Sequence, residues 1–184
     1  VAAAEAIVAY IRETEPDSTV LLSLAAQQYE QAQQHAKAAE QYLLAHQREE
    51  HPERKQEHFR AYLASMAYAD KVAEAYRTAE DKVAAWDYLT EGHEYDESLI
   101  TDDVLEELIA EHRELAPSNP RLMYFAARLL LRNGDYAAGA EHFVKAEAAE
   151  GEELQDLIRA GRREAIYRQG SIKDAYEAYE TDRE

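Results

Sequence analysis

Histidine and carboxylate are the side chains in this sequence whose chemistry could go beyond packing. His46 and His51 flank Glu49 and Glu50, and imidazole beside carboxylate is a metal-ligating combination. The five-residue step between the two histidines crosses an expected helix end, so it fixes no ligand pair. Solvated histidine is the reading that remains. His142 abuts Phe143 and reads as a surface or packing residue. Aspartate and glutamate together number 38, so carboxylates fall close together by chance and no acid–base pair stands out. No HExxH, no GxSxG, no phosphate-cradling glycine loop and no EF-hand loop occurs. Cysteine is absent, which excludes disulfides and thiolate metal sites. The expectation is a non-catalytic chain that uses no metal and no cofactor.

The elements that would carry any site are helices. With 184 residues, six glycines, four prolines and abundant alanine, the chain can build a substantial core from long helices. No alternating run bounded by turn signals points to a strand. An all-α fold is expected. The formal charge of −18 sets the surface apart: it repels nucleic-acid phosphates and anionic membranes, so neither is an expected partner. Solubility is the plain reading of that charge, and a saline habitat is the weaker alternative. No apolar run reaches membrane-spanning length and no basic leader opens the chain. The compartment is left open, with the cytoplasm favoured.

Asn119 to Ala146 is the clearest unit. Pro120 suits a helix's first turn. Met123, Ala126, Ala127, Leu130 and Leu131 then recur at one-face spacing. Asn133-Gly134 stops the helix, and Asp135 caps a second one whose buried side is Ala138, Gly139, Phe143 and Ala146. Earlier, Leu22, Ala25, Ala26 and Tyr29 line one helix, capped by Asp17 or Ser18; Ala38, Tyr42 and Ala45 line the next. The turn between them, near Gln33-Gln34, lacks glycine. After His51-Pro52, a helical stretch covers about Glu53 to Ala79. Either it is one extended helix or a kink near Ala69-Asp70 divides it. Its final part, Val72, Ala73 and Tyr76, pairs with Ala85, Leu89 and Gly92, and Trp86 between them reads as packing material. Gly92 to Ser98 reads as a loop. Asp102 to Leu115 is amphipathic, with Val104, Leu105, Leu108, Ile109, His112 and Leu115 on one side. Glu152 to Arg168 and Ser171 to Asp182 form a last pair. Ala4, Val8 and Ile11 give the first residues one helical face ahead of Pro16.

These helix–turn–helix units, with their small and aromatic residues in fixed register, resemble the tetratricopeptide repeat, whose members stack into solenoids that bind other proteins. The resemblance is irregular. Ala26 and Ala73 stand 47 residues apart and Ala73 and Ala127 stand 54 apart, against a repeat of about 34. Asp102 to Leu115 is unpaired by strict counting. Arg163 stands where the family places a small residue, so close packing in the last pair is in doubt unless Gly161 serves instead. Residues 1 to 14 look like the second half of a repeat, which favours excision from a longer array over an ordinary capping helix. Tyr29, Tyr42, Tyr76 and Tyr179 fall at repeat core positions. The resemblance therefore implies an α–α superhelix of antiparallel helix pairs, one domain over 1–184, cut from a longer chain.

In that family the first helices of each pair line a concave groove. The matching face here holds Arg121, Tyr124, Arg128 and Arg132, and the next first helix adds Arg168 and Tyr167, with Arg162 and Arg163 close by. Guanidinium groups bind carboxylates bidentately, so this basic face on an acidic chain suits an acidic peptide. The alternative is intramolecular pairing with the glutamates of neighbouring helices. The earlier groove face, Ser23, Gln27, Glu30 and Gln31 followed by Asp70 and Glu74, is polar or acidic. It lacks the lysine–asparagine set with which some members clamp a chaperone's carboxyl terminus. The resemblance implies a protein- or peptide-binding scaffold. A structural or self-associating segment of a larger polypeptide is the other reading.

Overall fold

The computed structural model describes residues 2–149 and 154–182; the expected helix starts at Val1 and Glu152 lie outside the described residues. Eleven helices and no strand occur among the described residues, and no helix there is long and apolar enough to cross a membrane. The chain divides into two compact units, residues 1–101 and 102–184.

In the first unit, α1 (Ala2–Thr14), α2 (Thr19–Gln31), α3 (His35–Arg48), α4 (Pro52–Tyr68), α5 (Val72–Thr78) and α6 (Lys82–Tyr95) each pack on their neighbours in sequence. Ser18, not Asp17, caps α2: its hydroxyl accepts the Leu21 N–H at 3.4 Å. Ile11 of α1 joins Leu22, Ala25 and Ala45 in one buried cluster, so the first helix does cover the α2–α3 pair as its apolar face requires. The long stretch after Pro52 is divided, because the chain turns at Asp70 and α5 begins afresh at Val72. That break corrects the expected register. Ala75, not Ala73, is the fully buried small residue of α5, and α4 rather than α5 lies against α3.

A second correction concerns the expected loop at Gly92. Helix α6 runs on to Tyr95. The stop is Asp96, whose carboxylate accepts the Ser98 N–H at 3.0 Å and the Ser98 hydroxyl at 2.6 Å. An aspartate that bonds its own downstream backbone offers the chain an alternative to continuing the helix. Trp86 is buried as packing material.

In the second unit, α7 (Asp102–Leu115), α8 (Pro120–Arg132), α9 (Tyr136–Ala149), α10 (Gln155–Arg168) and α11 (Ile172–Asp182) again pack in sequence, and α8 also touches α10. Asn119 caps α8 through the Leu122 N–H at 3.0 Å, and Asp135 caps α9 through that of Ala138 at 3.2 Å. Two glycines let the helices close up. A methyl group on Gly139 would overlap Leu131, and one on Gly161 would overlap the ring of Phe143. Gly161 is therefore the small residue of α10, and Arg163 is free to face Asp182 of α11 and the ring of Tyr179. Tyr179 itself is exposed, contrary to its expected core position, because α11 buries none of its residues.

Four turns share one backbone conformation. Gln33, Asp70, Gly134 and Gly170 all have positive φ and join α2–α3, α4–α5, α8–α9 and α10–α11. At three of them the following N–H reaches back over the helix end: Gln34 to the Tyr29 carbonyl at 2.8 Å, Lys71 to Met66 at 2.9 Å, Asp135 to Leu130 at 2.9 Å. This is the Schellman closure, which satisfies carbonyls the helix leaves open.

Candidate functional site

The basic residues expected on one face divide on inspection. Arg128 and Arg132 are one turn apart on α8, about 6 Å along its axis. Arg168 ends α10, which lies against α8. The three guanidinium-bearing side chains border a notch of about 220 Å³, completed by Leu131, Tyr136 and Glu164. Within it, Arg128 meets Glu164 at 3.5 Å and Arg168 meets the other oxygen of the same carboxylate at 3.5 Å. Arg132 pairs with Asp102 at the start of α7.

The other expected residues do not join this notch. Arg121 lies seven residues before Arg128, about 10 Å along the helix, is half-buried and already engaged in contacts of its own. Tyr124 is a correction: it is only 6% exposed, with its ring against Phe125 and Phe143. The α9 aromatic reaches under α8 and takes up that face. Tyr167 is 57% exposed but does not line the notch. Arg162 and Arg163 are committed elsewhere. Arg162 bridges Glu147 at 3.0 Å and Asp182 at 2.8 Å, Arg159 meets Glu147 at 3.1 Å, and Arg163 pairs with Asp182. These ion pairs tie α9, α10 and α11 together. All of these arginines pair within the chain, the α9–α11 set in one network and Arg128, Arg132 and Arg168 around one concavity.

No protein-family model matches this sequence. No curated protein matches it either.

Two carboxylates organise the first unit in a way the sequence did not announce. Glu49, buried at the end of α3, accepts the Thr19 hydroxyl at 2.9 Å and the His51 N–H at 3.0 Å, and faces Arg54 at 3.5 Å and His58 at 3.7 Å. The His51 N–H, more than any other group, holds the Glu49 carboxyl below the usual glutamate range; the Thr19 hydroxyl and the charges of Arg54 and His58 add to it, against the opposing effect of burial. Glu30 accepts hydroxyls from Tyr42 at 3.1 Å and Ser65 at 3.0 Å, and burial, reinforced by the Glu30 charge, raises the Tyr42 phenol well above its ordinary value.

Ser23, His58 and Glu49 follow one another as a hydroxyl, an imidazole and a carboxylate, the order of a nucleophilic triad. The Ser23 hydroxyl, however, donates to the Thr19 carbonyl at 3.0 Å. The same hydroxyl lies 3.3 Å from His58 Nδ1. The arrangement is a clasp between α2, α3 and α4. His46 and His142 are likewise occupied, each donating Nδ1–H to a backbone carbonyl at 2.9 Å, of Lys55 and Ala138 respectively. No cluster of three or more metal-ligating side chains occurs among the described residues.

A second concavity, about 330 Å³, opens in the first unit between α4 and α6, with Tyr68, Tyr88 and Tyr95 around an apolar floor and Arg60 and Glu91 at its edge. Burial raises the Tyr88 phenol, with Arg60 opposing and Glu91 reinforcing.

Proposed function

We propose that this chain is a non-catalytic, tetratricopeptide-like helical array that binds a protein or peptide segment carrying acidic residues. The observation that supports it is the convergence of Arg128, Arg132 and Arg168 on one notch of a chain whose formal charge is −18. Arg128 and Arg168 there share the Glu164 carboxylate and Arg132 pairs with Asp102, which gathers three guanidiniums in one concavity. Such a spot on a polyanionic surface is selective, because any acidic partner is repelled everywhere else. In the repeat reading the notch lies on the concave side, between the first helices of successive pairs. The same surface charge disfavours nucleic acid and anionic membrane as partners.

The test is the affinity for an acidic peptide of wild type against Arg128→Glu combined with Arg132→Glu, with helical content checked by circular dichroism. The double variant should lose binding while keeping its fold. Equal affinities would remove the notch from the reading.

One observation favours the second reading, a self-associating or structural segment. Ile172 and Tyr176, a turn apart on α11, are 69% and 62% exposed. An apolar strip of this kind suits a further packing layer. Sedimentation over a concentration series separates the two readings: a mass that grows with concentration, and that Ile172→Glu holds at the monomer, supports self-association.

A further inference from the structure

We infer that Glu164 is a built-in competitor for the notch, occupying the guanidiniums that an acidic partner must take. The inference rests on the acidic-segment reading above and adds how that site is regulated. Glu164 sits one turn before Arg168 on α10 and reaches across to Arg128 on α8. Each of its carboxylate oxygens faces a different arginine, both at 3.5 Å. A tight charge-assisted bond is shorter, about 2.7–2.9 Å, and a matched arginine–carboxylate pair is bidentate. Glu164 achieves neither with either partner. Its side chain is 42% exposed, so water screens the attraction that remains.

A carboxylate placed to serve only as a scaffold for two arginines would gain from burial and short bonds, as Asp182 does. That side chain is 7% exposed and holds both Arg162, at 2.8 Å, and Arg163. Glu164 has the opposite properties: loose, shared and accessible. An incoming aspartate or glutamate side chain can approach one guanidinium bidentately, with Leu131 and Tyr136 beside it to cover its aliphatic part. To do so it must displace Glu164, so Glu164 lowers the affinity and sharpens the preference for partners presenting more than one carboxylate. Arg132, by contrast, is held closely by Asp102 from the first turn of α7.

The experiment measures binding of a fluorescent poly-glutamate peptide to the whole chain and to its Glu164→Gln and Glu164→Ala variants at low ionic strength. Both variants should bind more tightly, by about five-fold, the factor that corresponds to the ~1 kcal/mol of one exposed ion pair. Adding Arg168→Glu to the Glu164→Gln variant should abolish the gain. If wild type binds and both variants bind equally or more weakly, Glu164 positions the arginines and the inference is overturned, while the acidic-segment reading stands. If neither wild type nor variants bind the peptide, that reading falls and takes the inference with it.

Discussion

Glu49 shows how much one carboxylate can organise. It gathers the Thr19 hydroxyl from α2, the His51 backbone and the Arg54 and His58 side chains of α4 around the end of α3. All of these favour its ionised form, so its folded pKa lies below the 4.5 of an ordinary glutamate. A group shifted in that direction contributes stability that is complete above the unfolded pKa and disappears as pH falls through the folded one. Urea melts of wild type and Glu49→Gln from neutral pH downward should therefore differ most above about pH 5. The two curves should converge as the carboxyl protonates. A gap that persists at acid pH would mean that Glu49 acts through its shape and not its charge. The Thr19 and His58 partners were not legible from the sequence, because they come from two other helices, whereas the His51 N–H lies only two residues on.

At the level of the elements, the helix pairs depend on turns and on close contacts. Gln33 and Asp70 occupy the left-handed conformation that Gly134 and Gly170 adopt without strain. For a side-chain-bearing residue that conformation costs about 1–2 kcal/mol, least for aspartate or asparagine, whose side chains bond locally. Gln33→Gly should accordingly raise stability by up to about 1 kcal/mol and Asp70→Gly by less. Gly134→Ala should cost about 1 kcal/mol. Denaturant midpoints for the three variants give the ranking, and a destabilised Gln33→Gly would show that the glutamine makes a compensating contact. The glycines inside helices act differently. Gly161→Ala sets a methyl group against the fully buried ring of Phe143, and overpacking of that kind costs about 1–3 kcal/mol. Gly139→Ala meets the movable end of Leu131 and gains helix propensity, so it should cost less. Thermal melts that found the two equal would argue that Phe143 can shift as easily as Leu131. The Asn133-Gly134 turn was legible from sequence because glycine advertises its conformation. The turn at Asp70 left two readings open because its residue does not.

For the whole molecule, scattering separates a tetratricopeptide-like solenoid from a compact domain. A compact domain of this length has a radius of gyration of about 16 Å. A tetratricopeptide-like solenoid holds successive pairs side by side and should give a clearly larger value. A measured value at the compact limit would count against a solenoid. The net charge of −18 works at the same scale: it repels other polyanions at long range.

By itself the sequence determined that the chain is helical, where most helices begin and end, and which apolar faces they bury. Those properties follow from backbone propensity, capping and 3.6-residue periodicity, all of which act within a few residues of one another. The register after His51 and the fates of the arginines were decided only in three dimensions. Ala73 and Ala75 are chemically the same, and the contact with the neighbouring helices selects Ala75. Arg128, Arg162 and Arg168 are likewise identical as letters. Arg162 is held by Glu147 and Asp182 within the α9–α11 network, whereas Arg128 and Arg168 share one loosely held glutamate at an open notch. The difference is physical: the strength of an ion pair depends on distance, burial and competing partners, and those are set by helices far apart in the chain.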